Sequence, residues 1–257
     1  MLTTWQPLII RYETCASTND EALAQARRGA AEGVCVVAAA QTAGRGRQQR
    51  AWSSPPGAGL YLSIVTRPQL DAQYWPLLTL AASLAVHDAL AAVCGLRADL
   101  KWPNDVHADG RKICGILAET CDTPQGRACV TGLGLNLRAR VWPPELHGQA
   151  VALEELTQSP PDMELILTAL LRSFGHRYAA LHEPTGPARL PGEWAAASSY
   201  ALGRRVRVEC GTETLYGVTD GLAEDGALRL RAADGTLHVL RAGDLSAATG
   251  GLRADTK

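Results

Sequence analysis

The chain has 257 residues, with 25 basic against 26 acidic side chains and 46% hydrophobic residues. That length suits one or two domains with a sizeable core, and a net charge of -1 leaves no global positive field to recruit nucleic acid. There is no run of about 18 uncharged apolar residues to span a membrane, and residues 1–10 lack the basic start and apolar stretch of a secretory signal. The seven cysteines, scattered from Cys15 to Cys210 with no C-x-x-C pair, read as reduced thiols in a cytoplasm rather than a disulfide frame or zinc site.

The stretch Ser17-Thr18-Asn19-Asp20-Glu21 is rich in N-cap residues. Thr18-x-x-Glu21 fits a capping box, opening a helix that runs to Arg28 and stops at Gly29. Residues 33–40 hold a short apolar run suited to a buried strand, a polar Gly/Arg loop fills 41–59, and 60–65 resumes strand character. Residues 76–93, rich in Leu and Ala without glycine, predict a core helix, and 163–181 a second long one. Three more strands are expected at 100–102, 113–119 and 129–135, with turn signals at Pro103-Asn104-Asp105 and Asp109-Gly110. Composition changes over 191–203. Short alternating runs then follow at 205–210, 214–219, 227–231 and 237–240, with Asp225-Gly226 and Asp234-Gly235 as hairpin turns. This is an all-β module of roughly 50 residues, too small to be very stable without packing on a neighbour. The boundary falls at about Ala201.

Of the basic residues 22 are Arg; the three lysines are Lys101, Lys112 and Lys257. A compact ammonium and a planar guanidinium are not interchangeable at a tight site, so the two internal lysines mark positions to follow. The loop Gln41-Thr42-Ala43-Gly44-Arg45-Gly46-Arg47-Gln48-Gln49-Arg50-Ala51-Trp52 packs three Arg and no acid into six residues. Its glycines let backbone approach a ligand, its guanidinium forks suit phosphate or carboxylate, and Trp52 offers a flat face. It is neither a Walker loop nor a dinucleotide fingerprint, since G-x-x-x-x-G-K-[ST] and G-x-G-x-x-G are both missing. Lys101-Trp102-Pro103-Asn104-Asp105 gathers a cation, an amide and a carboxylate at a strand end. In 111–119, Lys112 opens an apolar strand and Gly115 marks close approach by another group; 131–137 is a second glycine-bearing strand, ending on an amide. Taken singly, each has an ordinary reading: a solvated loop or nucleic-acid patch, an Asx turn, a bulge glycine.

Together and in order, Ser17-Thr18-Asn19, the Gly-Arg loop, Gly59-Leu60-Tyr61-Leu62-Ser63, Lys101-Trp102-Pro103-Asn104-Asp105, residues 111–119 and Gly132 to Asn136 resemble the biotin protein ligases. The likeness spans residues 14–140, and the module at 203–246 looks like that family's SH3-like domain; 138–200 carries little of it. The resemblance implies an α+β fold. Residues 1–200 would form a biotin- and ATP-binding catalytic domain with a mixed β-sheet and helices, of the class II aminoacyl-tRNA synthetase-like, biotin–lipoate ligase type. Residues 201–257 would form a small SH3-like β-barrel. It implies a two-step ligation, in which biotin and Mg-ATP give biotinyl-5′-AMP and pyrophosphate. A lysine of the biotin carboxyl carrier domain of a carboxylase then takes the biotin and releases AMP.

The resemblance assigns residues position by position. Arg47 and Lys112 match the cations that neutralise carboxylate and α-phosphate, and Lys101 joins the ligand-binding set. Ser17, Thr18, Asn19 and Gln41, with the backbone around Arg45 and Gly115, match the lining for the ureido ring and bicycle. Trp52 matches the aromatic that packs on the adenylate, and Asn136 the amide near its ribose and base. Asn104 and Asp105 match the polar pair facing the phosphates, Asp105 as magnesium ligand or as an aid to deprotonating the acceptor lysine. Arg50 goes to ATP or pyrophosphate, and Gly44 and Gly46 give the loop freedom to order over the ligand. One departure stands out: Gln49 occupies the place of the family's third loop glycine, where it would slow loop closure or loosen retention of the adenylate. Bifunctional members carry a winged helix-turn-helix ahead of the Ser-Thr-Asn motif, and Ser17 lies too near Met1 for one, so DNA binding is not expected. A homodimer is compatible with the resemblance, as is a monomer. Two rivals are a lipoate ligase or octanoyl transferase of the same architecture, disfavoured by the Gly-Arg-Gly-Arg loop, and a non-catalytic biotin sensor or nucleic-acid binder, disfavoured by Lys101, Lys112 and Asp105.

Overall fold

A computed structural model describes residues 5–158 and 161–248; Lys257 and the ends of both expected domains lie outside the described residues. Seven strands form one sheet: β1 (Leu8–Cys15), β2 (Val34–Gln41), β3 (Gly59–Thr66), β4 (Asp99–Lys101), β5 (Asp105–Ala108), β6 (Arg111–Thr123) and β7 (Gly126–Asn136). Their order is β1-β2-β3-β7-β6-β5-β4, parallel only between β1 and β2, with α1 (Thr18–Arg27) as the crossover.

Residues 34–37 and 60–65 are continuously apolar because β2 and β3 are covered on both faces. On one face Val34, Val36, Val65, Ala128 and Val130 pack beneath Ala22, Leu23 and Ala26 of α1. On the other, Cys35, Leu60, Leu62, Ile64, Ile116, Leu133 and Leu135 meet α2 (Leu77–Cys94), α3 (Met163–Leu181) and α4 (Gly186–Ala196). With its preceding turn, α2 (Ala72–Cys94) is long and apolar enough to cross a membrane by length and composition. Most of it is buried between the sheet and α3.

A second, antiparallel sheet follows, with order β11-β10-β9-β8-β12: β8 (Leu202–Cys210), β9 (Glu213–Leu222), β10 (Leu228–Arg231), β11 (Leu237–Leu240) and β12 (Asp244–Ala247). Its inward residues Val206, Val208, Leu228, Leu230 and Leu245 join the main core, which supplies the neighbour that so small a module needs. The Asp225-Gly226 turn, with Gly226 at φ 82°, presses on Leu77 and Leu80 at the start of α2.

Four elements depart from the sequence expectation. Strand β1 is an edge strand with exposed Arg11 and Glu13 beside half-buried Ile10 and Tyr12, so its hydrophobic signal is weak. Strands β5 and β12 have four residues each, too short for a periodic signal. Helix α4 runs through Pro191, where a break in composition was expected; Leu190 and Trp194, both buried, hold it in place. The capping box does not form either. Ser17 is the N-cap and makes no side-chain bond to the helix, while Thr18 is already helical. Gln41, at the end of β2, caps the helix from outside: its Oε1 accepts from the Thr18 amide at 2.7 Å and from the Thr18 hydroxyl at 3.1 Å.

Trp102 turns into the core at the junction of the two sheets, and its indole N–H donates to the Gly226 carbonyl at 3.1 Å. Trp102→Phe leaves that buried carbonyl unsatisfied, so a loss of about 1–3 kcal/mol is expected. Urea unfolding with an unchanged slope checks it.

Candidate functional site

Strand alternation places one set of side chains against α1 and the adjoining open face of the main sheet. Ser63, Gly132, Gly134, Asn136, Gly115, Glu119 and Asp105 lie there, opposite to the buried Leu62, Leu133, Leu135 and Ile116. The register sets Gly115 beside Gly134 and Gly132 beside both Leu117 and Ser63, which leaves the floor without Cβ atoms at those three glycines. Trp52 packs on it: a Cβ on Gly134 would sit 2.3 Å from the indole nitrogen, and one on Gly115 2.9 Å from the ring. A Cβ on Gly132 would fall 2.0 Å from Asn19 Oδ1. Above this floor is a cavity of about 530 Å³.

Of the residues assigned from sequence, Ser17, Thr18, Asn19, Gln41, Arg45, Gly46, Arg47, Arg50, Trp52, Lys101, Asn104, Asp105, Lys112, Gly115 and Asn136 all line this cavity. Gly44 does not. It lies behind the loop, where a Cβ would meet the Trp52 carbonyl at 2.4 Å. The loop's left-handed residues are Gln48 and Gln49, at φ 54° and 61°, rather than its glycines. Outside glycine that conformation costs about 1–2 kcal/mol per residue, which gives the glutamine at position 49 a physical meaning.

One end of the cavity is hydrogen-bonding. Ser63 donates to Asn19 Oδ1 at 2.6 Å or to Thr18 Oγ1 at 2.8 Å, and Gln41 Nε2 donates to Ser54 at 2.8 Å. Asn19 Nδ2 donates to Glu119 at 2.7 Å, and Arg45 forks onto the same carboxylate at 2.9 and 3.0 Å while holding Asp20 at 2.6 Å. The Arg45 charge is therefore already spent on two acids of the chain.

The other end is cationic. Lys112 Nζ lies 2.6 Å from Asp105 Oδ1 and 5.4 Å from the centre of the Trp52 ring. Arg47 donates to Asn104 Oδ1 at 3.0 Å, and Asn104 Nδ2 is fixed on the Ile116 carbonyl at 2.8 Å. Lys101 lies over the Tyr200 ring; burial pulls its pKa down, partly offset by Asp105. Burial, reinforced by Lys101, pushes His107 down to about 4, so it is neutral at pH 7. Asn136 donates to the Val151 carbonyl at 3.3 Å, and Arg140 reaches back to Asn136 and lies 4.3 Å over the Trp142 ring.

Four buried nitrogens of cavity-lining residues, Trp52 Nε1, Arg45 Nε, His107 Nδ1 and Arg140 Nε, have no hydrogen-bond partner among the described residues. No group of three His, Cys, Asp or Glu able to hold a metal occurs among the described residues. Two carboxylates stand at the cationic end, Asp105, with one oxygen engaged by Lys112, and Asp244, engaged by Arg47 and Arg50.

Sequence reasoning missed Ser63 and Glu119, which hold Asn19 from behind the cavity wall, although both lie inside motifs it quoted; strand register was the missing information. Arg140 and Trp142 follow β7 in a stretch without motif, and Asp244, 27% exposed beside Arg47 and Arg50, comes from the second sheet.

The fold and cavity are those of a cofactor-to-protein ligase: residues 14–136 match the biotin/lipoate A/B protein ligase family, and 201–246 match the biotin protein ligase C terminal domain. Among curated relatives, a biotin–[acetyl-CoA-carboxylase] ligase of Mycobacterium tuberculosis is 37% identical over 94% of this chain and 89% of its own. The bifunctional ligase/repressor BirA of Bacillus spizizenii is 34% identical over 91% of this chain and 72% of its own. A solved biotin protein ligase from Aquifex aeolicus, in complex with biotin and ATP, superposes with a TM-score of 0.79 at 27% identity, covering 93% of this chain and 97% of that one. The chain belongs to the biotin protein ligase family.

Gly134→Ala drives a methyl into the Trp52 indole and should destabilise the protein by about 1–3 kcal/mol. In a Trp52→Ala background the same change should cost much less. A double-mutant cycle by urea unfolding reads the difference.

Proposed function

We propose that this chain activates biotin with ATP and transfers it to a lysine of a biotin carboxyl carrier domain. The observation that carries the reading is one cavity with two unlike ends. A hydrogen-bonding end at Thr18, Asn19 and Gln41, backed by buried Ser63, suits a ureido group, and a cationic end at Arg47, Lys101 and Lys112 suits a carboxylate meeting a phosphate. Between them the glycine floor carries the Trp52 indole, whose ring offers an apolar wall. The C-terminal match at 201–246 favours biotin over lipoate as the acid.

In the first step a biotin carboxylate oxygen attacks the α-phosphorus of ATP and pyrophosphate leaves. Two anions must meet, and Arg47 and Lys112 neutralise both in a site shielded from water. Lys112 is held ready by Asp105, and its stem runs beside Gly115. In the second step the carrier lysine attacks the acyl carbon of biotinyl-5′-AMP and AMP leaves. Trp52 covers the adenylate, Asn136 and Arg140 meet its ribose and base, and Arg50 meets the departing phosphates. Of the two carboxylates at this end, Asp105 would hold a magnesium ion accompanying the nucleotide, Asp244 being paired with Arg47 and Arg50. The ion adds neutralising charge to the phosphates when bound. Residues 1–200 serve as the catalytic unit and 201–257 as its support.

Incubation with biotin, Mg-ATP and a carrier domain, followed by mass spectrometry, tests the reading. An ATP-dependent gain of one biotin on one carrier lysine is expected; no gain with biotin but a gain with lipoate overturns it. Lys112→Met should lower adenylate formation by about 100-fold or more while circular dichroism stays unchanged. Near-normal activity in that variant removes the role given to Lys112.

A further inference from the structure

The Gly-Arg loop crosses the cavity mouth between two anchors. On the α1 side Arg45 is tied to Glu119 and Asp20. On the far side both remaining arginines converge on one carboxylate of the C-terminal sheet, Asp244: Arg50 makes a close ion pair with its Oδ2, and Arg47 lies 3.6 Å from its Oδ1. Arg47 also donates to the Gly243 carbonyl at 3.3 Å. Gly243 has φ 152°, and a Cβ there would strike Val208 and the Glu209 carbonyl at 2.8 and 3.0 Å, so the turn that presents this carbonyl and Asp244 together needs a glycine. Between the anchors Gln48 and Gln49 stand in the left-handed region, in a tight turn closed by the Gly46 N–H on the Arg50 carbonyl at 2.7 Å and the Arg50 N–H on the Arg47 carbonyl at 3.1 Å.

We propose that Asp244 is a positioning residue for the nucleotide, holding the Gly-Arg loop across the mouth and setting Arg47 against Asn104, where the phosphates arrive. The inference rests on the ligase reading for the identity of the nucleotide, but the loop's attachment stands on geometry alone. An anion already beside Arg47 and Arg50 keeps three arginines within six residues from repelling one another before ATP binds. It also limits the freedom that Arg47 loses when ATP binds, and that saving falls on nucleotide affinity rather than biotin affinity.

The test compares the whole chain with Asp244→Asn and Asp244→Glu. In the ligand-free protein, tryptic cleavage after Arg47 and Arg50 should quicken roughly five- to tenfold in Asp244→Asn, as expected for loss of charge-assisted pairing at a part-exposed site. In pyrophosphate release, KM for ATP should rise by about the same factor with KM for biotin within about twofold, and Asp244→Glu should restore most of both. Unchanged loop cleavage, an unchanged KM for ATP, or an equal rise in both KM values overturns the proposal. If the wild-type chain releases no pyrophosphate with biotin, the ligase reading falls, and tryptic cleavage with equilibrium binding of ATP still decides the role of Asp244.

Discussion

An aromatic ring can rest on the backbone of a β-sheet only where the strands present no side chains, and much of this site depends on that condition. The register of β6 on β7 sets Gly115 beside Gly134, and that of β3 on β7 sets Ser63 beside Gly132. A slip of one residue would turn leucines toward the cavity and bury the polar groups in the core. The register is held by the opposite face, where Leu62, Ile116, Leu133 and Leu135 pack on the helices. The shape of the floor is therefore enforced by apolar burial on the far side of the same strands, and the chemistry needs no dedicated scaffold of its own.

The second sheet shares that burial. Its inward face joins the core that covers the back of the main sheet, and Trp102 and the Gly226 turn link the two at the entrance to the Lys101-Trp102-Pro103-Asn104-Asp105 segment. One residue of that segment works inward, as a structural tie, while Lys101, Asn104 and Asp105 work outward on the cavity. The pentapeptide is thus both wall and hinge plate, a double duty that explains why a cation, an aromatic, an amide and a carboxylate lie so close in sequence.

Much of the fold was legible because its strands and long helices are apolar through several residues, and burial on two faces writes itself as an unbroken run. The elements that escaped carry weak versions of that signal: β1 alternates at an edge, β5 and β12 are four residues long, and α4 contains Pro191. The loop arginines and the two internal lysines were legible through composition, and the structure gathers them around one cavity. Glu119 and Ser63 were not, since an acid at a strand end and a serine in an apolar strand acquire meaning only when the register is known. Asp244 is far from Arg50 in sequence, and nothing local marks it as the partner of that arginine. The capping box misled because the hydroxyl and amide that fit it are drawn into the cavity by Gln41 and Ser63.

That last arrangement has a thermodynamic consequence. The free N–H at the start of α1 is satisfied by a side chain from another strand, Gln41, standing at the cavity wall. A ligand carbonyl that displaces the Gln41 oxygen takes over a helix terminus, with its row of unpaired amides and its partial positive charge. That terminus favours an acceptor at this point of the wall, since an acceptor completes the helix and a donor in the same place leaves it open.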